Sequence, residues 1–184
     1  MARKKGIRIV LLVEDRMLER FARAILVKLG FNSRDFRLIP YPVGTNTKQW
    51  VTQQYPIEIK TYRQKVNYQP NIALLVGTEA DEQTVIQRNN YLSASLQVAD
   101  IAPRQVQESI VLWVPKWHVE TWILFLSGQN VNEDQSYKHD VNNPDFGLVA
   151  NKFADKYREF QSDSNINVLP SLKNAFQETM RLNN

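Results

Sequence analysis

The sequence predicts an α/β fold in which a mainly parallel four-stranded sheet is flanked by helices. Three short aliphatic runs have the composition of strands buried on both faces, and a shorter strand is predicted between the first two. Segments with helical spacing of apolar residues separate the runs, as is typical of βαβ units. With 184 residues, of which 43% are hydrophobic and 23% charged, the chain is long enough for one sizeable core and short for two domains.

The first half of the chain carries clear strand and helix signals. The aliphatic run at 7–13 predicts the first buried strand. In the segment that follows, apolar residues recur every fourth position until Gly30, which is well placed to end that helix. Residues 37–40 predict the short second strand. Residues 50–66 have helical spacing, with a break expected at Pro56.

The second half repeats this alternation and then becomes polar. The remaining elements are predicted in this order: a strand at 72–76, a helix at 81–97, a strand at 110–114, a helix at 119–126, and two short helices near 152–160 and 172–181. A polar, loop-like stretch lies at 127–144. We therefore divide the chain into an α/β core at 1–126 and a loop and short helical C-terminal extension of the same domain at 127–184.

Composition excludes several kinds of site. The chain has no cysteine, which excludes disulfides, thiolate nucleophiles and cysteine-based zinc sites. The apolar run near the amino terminus is too short for a signal peptide or a membrane span, so we expect a cytoplasmic protein with no membrane partner. Nothing in the sequence predicts the oligomeric state.

The charge of the chain is mildly basic. A formal net charge of +4 permits a nucleic-acid partner without requiring one. Four basic residues largely share one side of the first predicted helix: Arg16, Arg20, Arg23 and Lys28. A solvated helix face is the ordinary interpretation, and contact with a nucleic-acid backbone is the alternative.

Acidic residues follow three of the predicted strands at the point where each strand ends. Glu14 and Asp15 follow the first strand, Glu79 and Asp81 follow the third, and Glu120 lies shortly after the fourth. Ligands bind beyond the carboxyl ends of the strands in an open parallel sheet, and Mg²⁺ prefers carboxylate oxygens. The sequence therefore predicts a metal site at this edge. The alternative for Glu79 or Asp81 is the capping of the next helix.

Other chemical signals are weaker. His118 and His139 are the only histidines, and their separation matches no zinc signature. A lone histidine is more often packed or on the surface than bound to a metal. The loop at 43–48 lacks the G-x-x-x-x-G-K-[ST] pattern of a P-loop. A plain turn is expected there, and phosphate binding through backbone amides is the alternative.

Two families resemble the opening segment VLLVEDRMLERFARAILVKLG at 10–30. The first is the response-regulator receiver domain, which also has an acidic pair after its first strand. A receiver requires a phospho-accepting aspartate at the end of its next core strand, but that strand ends here in Gly77. Lys116 is also not followed by proline. We therefore reject the receiver.

The chain more closely resembles the TOPRIM-like superfamily, whose motif is a glutamate after the first strand and an acidic D-x-D pair after a later one. Glu14 matches the first element, and Glu79-Ala80-Asp81 matches the second with glutamate in place of the first aspartate. Within the superfamily, the chain is similar to uncharacterised bacterial proteins related to the nuclease half of the overcoming-lysogenization-defect (OLD) nucleases. The similar segments are the opening segment, GTNTKQWVTQQYPIEIKTYRQK, EADEQTVIQR and VPKWHVETWILFL, the last being the most distinctive.

This resemblance implies a TOPRIM-like fold and phosphoryl transfer that depends on Mg²⁺ or Mn²⁺, most directly the cleavage of nucleic acid. Glu14 would act as metal ligand or general base, and Glu79 and Asp81 would hold the metal. Lys116 and Glu120 would complete the catalytic site. Relatives often work beside an ATPase in phage defence, so an ATPase partner is expected. The alternative is a degenerate module that binds nucleic acid or protein without catalysis.

Overall fold

One parallel sheet of four strands lies at the centre of the protein, which is described at residues 6–41 and 46–183 of a computed structural model. The strands are β1 (Arg8–Val13), β2 (Phe36–Leu38), β3 (Ile72–Gly77) and β4 (Ile110–Trp113). Their order across the sheet is β2-β1-β3-β4, and each neighbouring pair is parallel. The predicted α/β class with a parallel four-stranded sheet is therefore confirmed.

Helices cover both faces of the sheet. They are α1 (Arg16–Lys28), α2 (Thr47–Val66), α3 (Val85–Val98), α4 (Val119–Leu126), α5 (Phe146–Ser162) and α6 (Pro170–Thr179). Helices α1, α4, α5 and α6 form one hydrophobic core with one face, and α2 and α3 form a second core with the other. Successive residues of β1 alternate between these cores, because neighbouring side chains of a strand point to opposite faces. In the described part of the chain, no helix has the length and apolar character needed to cross a membrane.

The strand order reverses between β1 and β3. From β1 the chain passes to β2 at one edge and then returns to form β3 on the other side of β1. Ligands of open α/β sheets bind in the crevice beyond the carboxyl ends of the strands at such a point. Val13 pairs with Gly77 at these ends, so Glu14 and Thr78 follow side by side. A Cβ at Gly77 would lie 2.9 Å from Cδ2 of Leu18, so glycine allows α1 to pack closely here.

Two predicted features of the helices are wrong. The helix predicted at 81–97 begins at Val85, because Thr84 and Gln87 form a capping box. In that box the hydroxyl of Thr84 accepts from the backbone N–H of Gln87 at 3.1 Å, and the backbone N–H of Thr84 donates to Oε1 of Gln87 at 2.8 Å. The break predicted at Pro56 does not occur, and α2 continues through it. Pro56 is buried within α2, so packing against the sheet outweighs the missing backbone hydrogen bond.

Residues 127–145 contain neither helix nor strand, as the polar composition of 127–144 predicts. Helix α5 then begins earlier than expected, because Oδ1 of Asp145 accepts from the N–H groups of Gly147 and Leu148. Both C-terminal helices pack into the core that contains α1. The division of the domain at residue 126 stays a prediction. Half of the turn predicted at 43–48 falls on residues 43–45, which lie outside the described residues. Of the other half, Asn46 caps α2, and Thr47 and Lys48 begin that helix.

Helix α6 closes the edge of the sheet formed by β4. The carboxylate of Glu178 accepts a hydrogen bond from the backbone N–H of Leu112, in the middle of β4, at 3.0 Å. The guanidinium of Arg104 binds both oxygens of that carboxylate. Trp113 in turn donates from Nε1 to the hydroxyl of Thr179 at 3.0 Å. The side chain of Glu178 therefore occupies a backbone N–H of β4 where another strand would pair.

Candidate metal centre

Three side chains with metal-ligand chemistry meet beyond the carboxyl ends of β3 and β4. Among the described residues, Glu79, Asp81 and His118 form a group whose ligand atoms lie within 4.8 Å of one another. That separation is no more than about twice a metal–ligand bond length of about 2.0–2.6 Å, so one ion could contact all three. Two carboxylates and one imidazole are suitable ligands for a divalent cation. We call this group the ligand cluster.

The backbone that carries the ligand cluster has an unusual local conformation. Asp81 and Trp117 both have positive φ angles, of 50° and 61°, and they face each other in an isolated antiparallel bridge. The N–H of Asp81 donates to the carbonyl of Trp117 at 3.3 Å, and the N–H of Ala80 donates to that of Pro115 at 3.0 Å. Such left-handed conformations cost about 1–3 kcal/mol each outside glycine and concentrate at functional sites. The bridge joins the segment after β3 to the segment after β4.

Glu79 and His118 form the buried half of the ligand cluster. Glu79 is 3% exposed, and its Oε1 accepts from the N–H of Val119 at 2.9 Å. Its Oε2 lies 2.7 Å from Nδ1 of His118. Burial raises the pKa of Glu79 to about 8, and the charges of Asp15 and Glu14 act in the same direction. Burial also lowers the pKa of His118. Both shifts favour the uncharged form of the pair at neutral pH, and in that form a protonated Glu79 can donate to Nδ1 of His118.

Asp81 is the open member of the ligand cluster. Its side chain is 43% exposed and forms an ion pair with the ammonium of Lys48, whose pKa burial lowers. Nζ of Lys116 donates to the backbone carbonyl of Asp81 at 2.6 Å and lies 4.2 Å from the ring centroid of Trp117. Two lysines therefore lie against Asp81, where they could balance the charge of a bound anion as well as that of the carboxylate.

A buried polar network connects Glu14 to the ligand cluster. Oε2 of Glu14 accepts from the hydroxyl of Thr78 at 2.8 Å and from the backbone N–H of Glu79 at 3.0 Å. Arg88, which is 3% exposed, donates to the same hydroxyl at 2.8 and 3.2 Å and to the carbonyl of Lys48 at 3.2 Å. Burial lowers the pKa of Arg88. The network fixes the orientation of Glu14 and the backbone position of Glu79.

The ligand cluster opens into a cleft of about 890 Å³ between α2, α3 and the loop after α4. Three cations line this cleft, Lys48, Arg88 and Lys138, together with two carboxylates, Asp81 and Glu82. Lys138 also lowers the pKa of His118 through its charge. The cleft therefore has more cationic than anionic lining groups beside a candidate metal position.

The structure brings together Glu79 and Asp81, two of the three predicted metal ligands. Glu14, the third, lies one hydrogen bond from the backbone of Glu79, and its role as ligand or general base stays a prediction. Glu120 is buried in the first turn of α4, where burial raises its pKa. Lys116 contacts the backbone of Asp81. The catalytic roles of Lys116 and Glu120 stay predictions as well.

The alternative role for Glu79 or Asp81, capping of the helix that follows β3, is wrong. Thr84 rather than Glu79 or Asp81 caps the next helix, α3. Glu79 instead accepts from the first N–H of α4, a helix whose N-cap residue His118 makes no side-chain capping bond. Glu79 therefore stabilises the start of α4 and belongs to the ligand cluster at the same time.

His118, Lys48 and Arg88 are the site residues that sequence reasoning missed. His118 was expected to be a packed or surface residue, and the structure places it within the ligand cluster. Its position directly after the end of the fourth strand, beside the predicted Lys116 and Glu120, was an available signal. Arg88 has no such signal, because an arginine on an amphipathic helix ordinarily indicates an exposed face.

The basic residues of α1 lie apart from the cleft of the ligand cluster. Arg16 is exposed, and the guanidinium of Arg20 lies 4.7 Å from the ring centroid of Phe146. Arg23 donates from Nε to Glu19 at 2.7 Å. Arg23 also lines a separate cleft of about 800 Å³ between α1 and α5. Binding of nucleic acid by Arg16, Arg20 and Arg23 stays a prediction.

No family model, curated protein or solved structure matches the chain. The likeness to TOPRIM-like proteins therefore stays a prediction from sequence segments.

Proposed function

We propose that this protein is a metal-dependent phosphoryl-transfer enzyme, and specifically a nuclease that uses Mg²⁺ or Mn²⁺. The observation that carries the proposal is the position of Glu79, Asp81 and His118 beyond the carboxyl ends of two neighbouring parallel strands, β3 and β4. Asp81 and His118 lie on the wall of a cleft that three cations also line. Metal-dependent phosphoryl transfer combines a metal ion with positive groups that stabilise the charge of the transferred group. Both have candidate residues in this one cleft.

The ligand cluster fits a divalent cation that keeps open coordination positions. Buried Glu79 and His118 would anchor the ion, and exposed Asp81 would hold it at the side of the cleft. Carboxylate oxygens suit Mg²⁺ and Mn²⁺, whereas an imidazole nitrogen is a poorer ligand for the harder Mg²⁺. We therefore expect Mn²⁺ to bind more tightly than Mg²⁺. When bound, such an ion activates water and stabilises charge on phosphate oxygens.

The neighbouring residues have complementary roles in this proposal. Lys48 is paired with Asp81, so an ion that neutralises Asp81 frees the ammonium of Lys48 to contact a phosphate. Lys116 lies on the other side of Asp81 and would contact the same group. Glu14, which Thr78 and the backbone of Glu79 hold in place, would serve as general base or further ligand.

The sequence resemblance supports the same reaction and adds a biological setting. The order of Glu14, Glu79 and Asp81 along the chain matches the TOPRIM-like motif, apart from the glutamate at its second acidic position. On this basis we extend the proposal to nucleic acid as substrate, to a role in phage defence and to an ATPase partner.

The test compares Asp81→Asn with Asp155→Asn. Both aspartates pair with a cation, Lys48 and Arg158 respectively, but Asp155 lies on α5. Plasmid and single-stranded substrates are incubated with Mg²⁺ or Mn²⁺, alone and with any ATPase encoded beside this chain. We expect Asp81→Asn to lower the rate at least 100-fold, because losing transition-state stabilisation by a metal costs several kcal/mol. Asp155→Asn should cleave like wild type. Equal rates for the two variants, or no metal-dependent cleavage by wild type, would refute the proposal.

A non-catalytic binding module is the second candidate, and one observation favours it. All three members of the ligand cluster have partners without a metal, since Glu79 pairs with His118 and Asp81 pairs with Lys48. A metal must replace these contacts in order to bind. A thermal melt that is unchanged by millimolar Mn²⁺ or Mg²⁺, with nucleic acid still bound, would support the module over the enzyme.

A further inference from the structure

The wall of the cleft formed by α3 carries an exposed aromatic ring. Tyr91 lies on α3, is 59% exposed and lines the same cleft as Asp81 and His118. It is three positions after Arg88, so the two residues lie on the same side of the helix, one turn apart. The ring is therefore close to a cation and presents apolar surface to the solvent of the cleft.

Helix α2 lines the cleft with neutral polar side chains at helical spacing. Gln49, Thr52 and Gln53 contribute to the lining, and positions three and four apart share one face of a helix. Amide and hydroxyl groups can both donate and accept hydrogen bonds. These are the groups that bind the edges of bases once the bases are no longer paired.

We propose that the cleft binds an unpaired nucleic-acid strand, with a base stacked on Tyr91 and the backbone phosphates on Lys48 and Lys138. An exposed ring together with a cationic groove is the combination that binds single strands, because every base has a face that can stack. Bases inside a duplex are already stacked and paired, so their faces are closed to Tyr91. A cleft of about 890 Å³ lies within the usual size range of ligand sites, about 300–1,000 Å³. As the substrate class of the nuclease, this inference rests on the proposed function.

The experiment measures binding without metal, so that it does not depend on cleavage. Fluorescence anisotropy in EDTA compares a labelled single-stranded oligonucleotide with the duplex of the same sequence. The variants are Tyr91→Ala, Tyr91→Phe and, as matched control, Tyr68→Ala, since Tyr68 is 78% exposed and outside the lining of the cleft. We expect Tyr91→Ala to weaken single-strand binding about 5- to 100-fold. Tyr91→Phe and Tyr68→Ala should bind like wild type, and the duplex should bind more weakly than the single strand.

Three results would overturn the inference: a duplex bound as tightly as the single strand, Tyr91→Ala bound as tightly as Tyr68→Ala, or no binding to wild type. Competition by a mononucleotide at the same concentration as the oligonucleotide would also overturn it, in favour of a small-molecule site.

Failure of the nuclease proposal gives a different result. In that case single strands bind through Tyr91 in EDTA, and no cleavage follows when Mn²⁺ or Mg²⁺ is added. Conversely, cleavage of duplex that requires Asp81 but is indifferent to Tyr91 would retain the nuclease and remove the single-strand inference.

Discussion

Replacing Glu79 with glutamine should stabilise the metal-free protein at neutral pH. The substitution keeps the size of the side chain, and its carbonyl can still accept from the N–H of Val119. Its amide can donate to Nδ1 of His118, as a protonated carboxyl would in the wild type. What the substitution removes is the ability of a buried group to ionise.

The magnitude follows from the pKa of Glu79, which burial raises from 4.5 to about 8. The folded state therefore binds the proton more tightly than the unfolded state. The resulting stability is complete below pH 4.5, declines as the pH rises and is lost above pH 8. At pH 7, which is about 2.5 units above 4.5 and still below 8, the contribution of Glu79 to the free energy of unfolding is about 3 kcal/mol smaller than at pH 4.5. Glutamine at this position avoids that loss.

The assay is urea denaturation in EDTA at several pH values from 5 to 8. His118 has a lowered pKa, so its contribution to the stability of the fold changes in the opposite direction and declines as the pH falls below 6.5. For this reason the informative quantity is the difference in unfolding free energy between wild type and Glu79→Gln at each pH. Glu159→Gln, a substitution on the exposed side of α5, is the matched control.

We expect the advantage of Glu79→Gln over wild type to grow by about 1.4 kcal/mol per pH unit between pH 5 and 7 and to level off near pH 8. Glu159→Gln should show no such trend. A constant difference across this range, or a variant less stable than wild type at pH 7, would mean that Glu79 is ionised in the fold and that the neutral Glu79–His118 pair is wrong.

Two further predictions concern the metal and the buried network. Binding of Mn²⁺ at pH 7 should release about one proton, since Glu79 must ionise to become a ligand. The affinity for Mn²⁺ should then rise about tenfold per pH unit up to pH 8, measured by calorimetry in two buffers that differ in ionisation enthalpy. An affinity that does not change between pH 6 and 8 would contradict this. Thr78→Val should cost about 3 kcal/mol in urea denaturation, because Arg88 and Glu14 lose their shared buried hydroxyl. The control Thr61→Val, whose hydroxyl only contacts a helix carbonyl, should cost under about 1 kcal/mol; equal costs for the two variants would exclude a stabilising network.

The sheet and two of the cluster residues could be predicted because they depend on local sequence. A strand buried on both faces must be apolar throughout, as β3 is, so its end is visible as the first polar residue. Glu79 and Asp81 are therefore recognisable as residues at a strand end. The parallel arrangement of the strands then places them at the ligand-binding edge of the sheet.

The contacts that complete the site are not local, and the sequence does not encode them in a readable pattern. His118 joins the ligand cluster only because Trp117 adopts a positive φ angle and bridges to Asp81. Tryptophan carries no preference for that conformation. Arg88 is buried with its guanidinium donating to Thr78, ten positions earlier, and to the carbonyl of Lys48. The start of α3 is a different case. The spacing of Thr84 and Gln87 matches a capping box, so the sequence itself indicates that the helix begins after Asp81.

The contact between Glu178 and β4 bears on how the protein behaves at high concentration. An open edge strand offers unpaired N–H and C=O groups to any other chain, and two such edges can join into a continuous intermolecular sheet. Glu178 occupies the N–H of Leu112 in the middle of β4. Arg104, which binds Glu178, also donates to the carbonyl of Ile110 at 2.8 Å, so neither of these backbone groups is open to a second copy of the same edge. Helix α6 therefore opposes aggregation by strand addition. A chain that lacks this helix would expose β4 as an apolar edge strand able to pair with another chain.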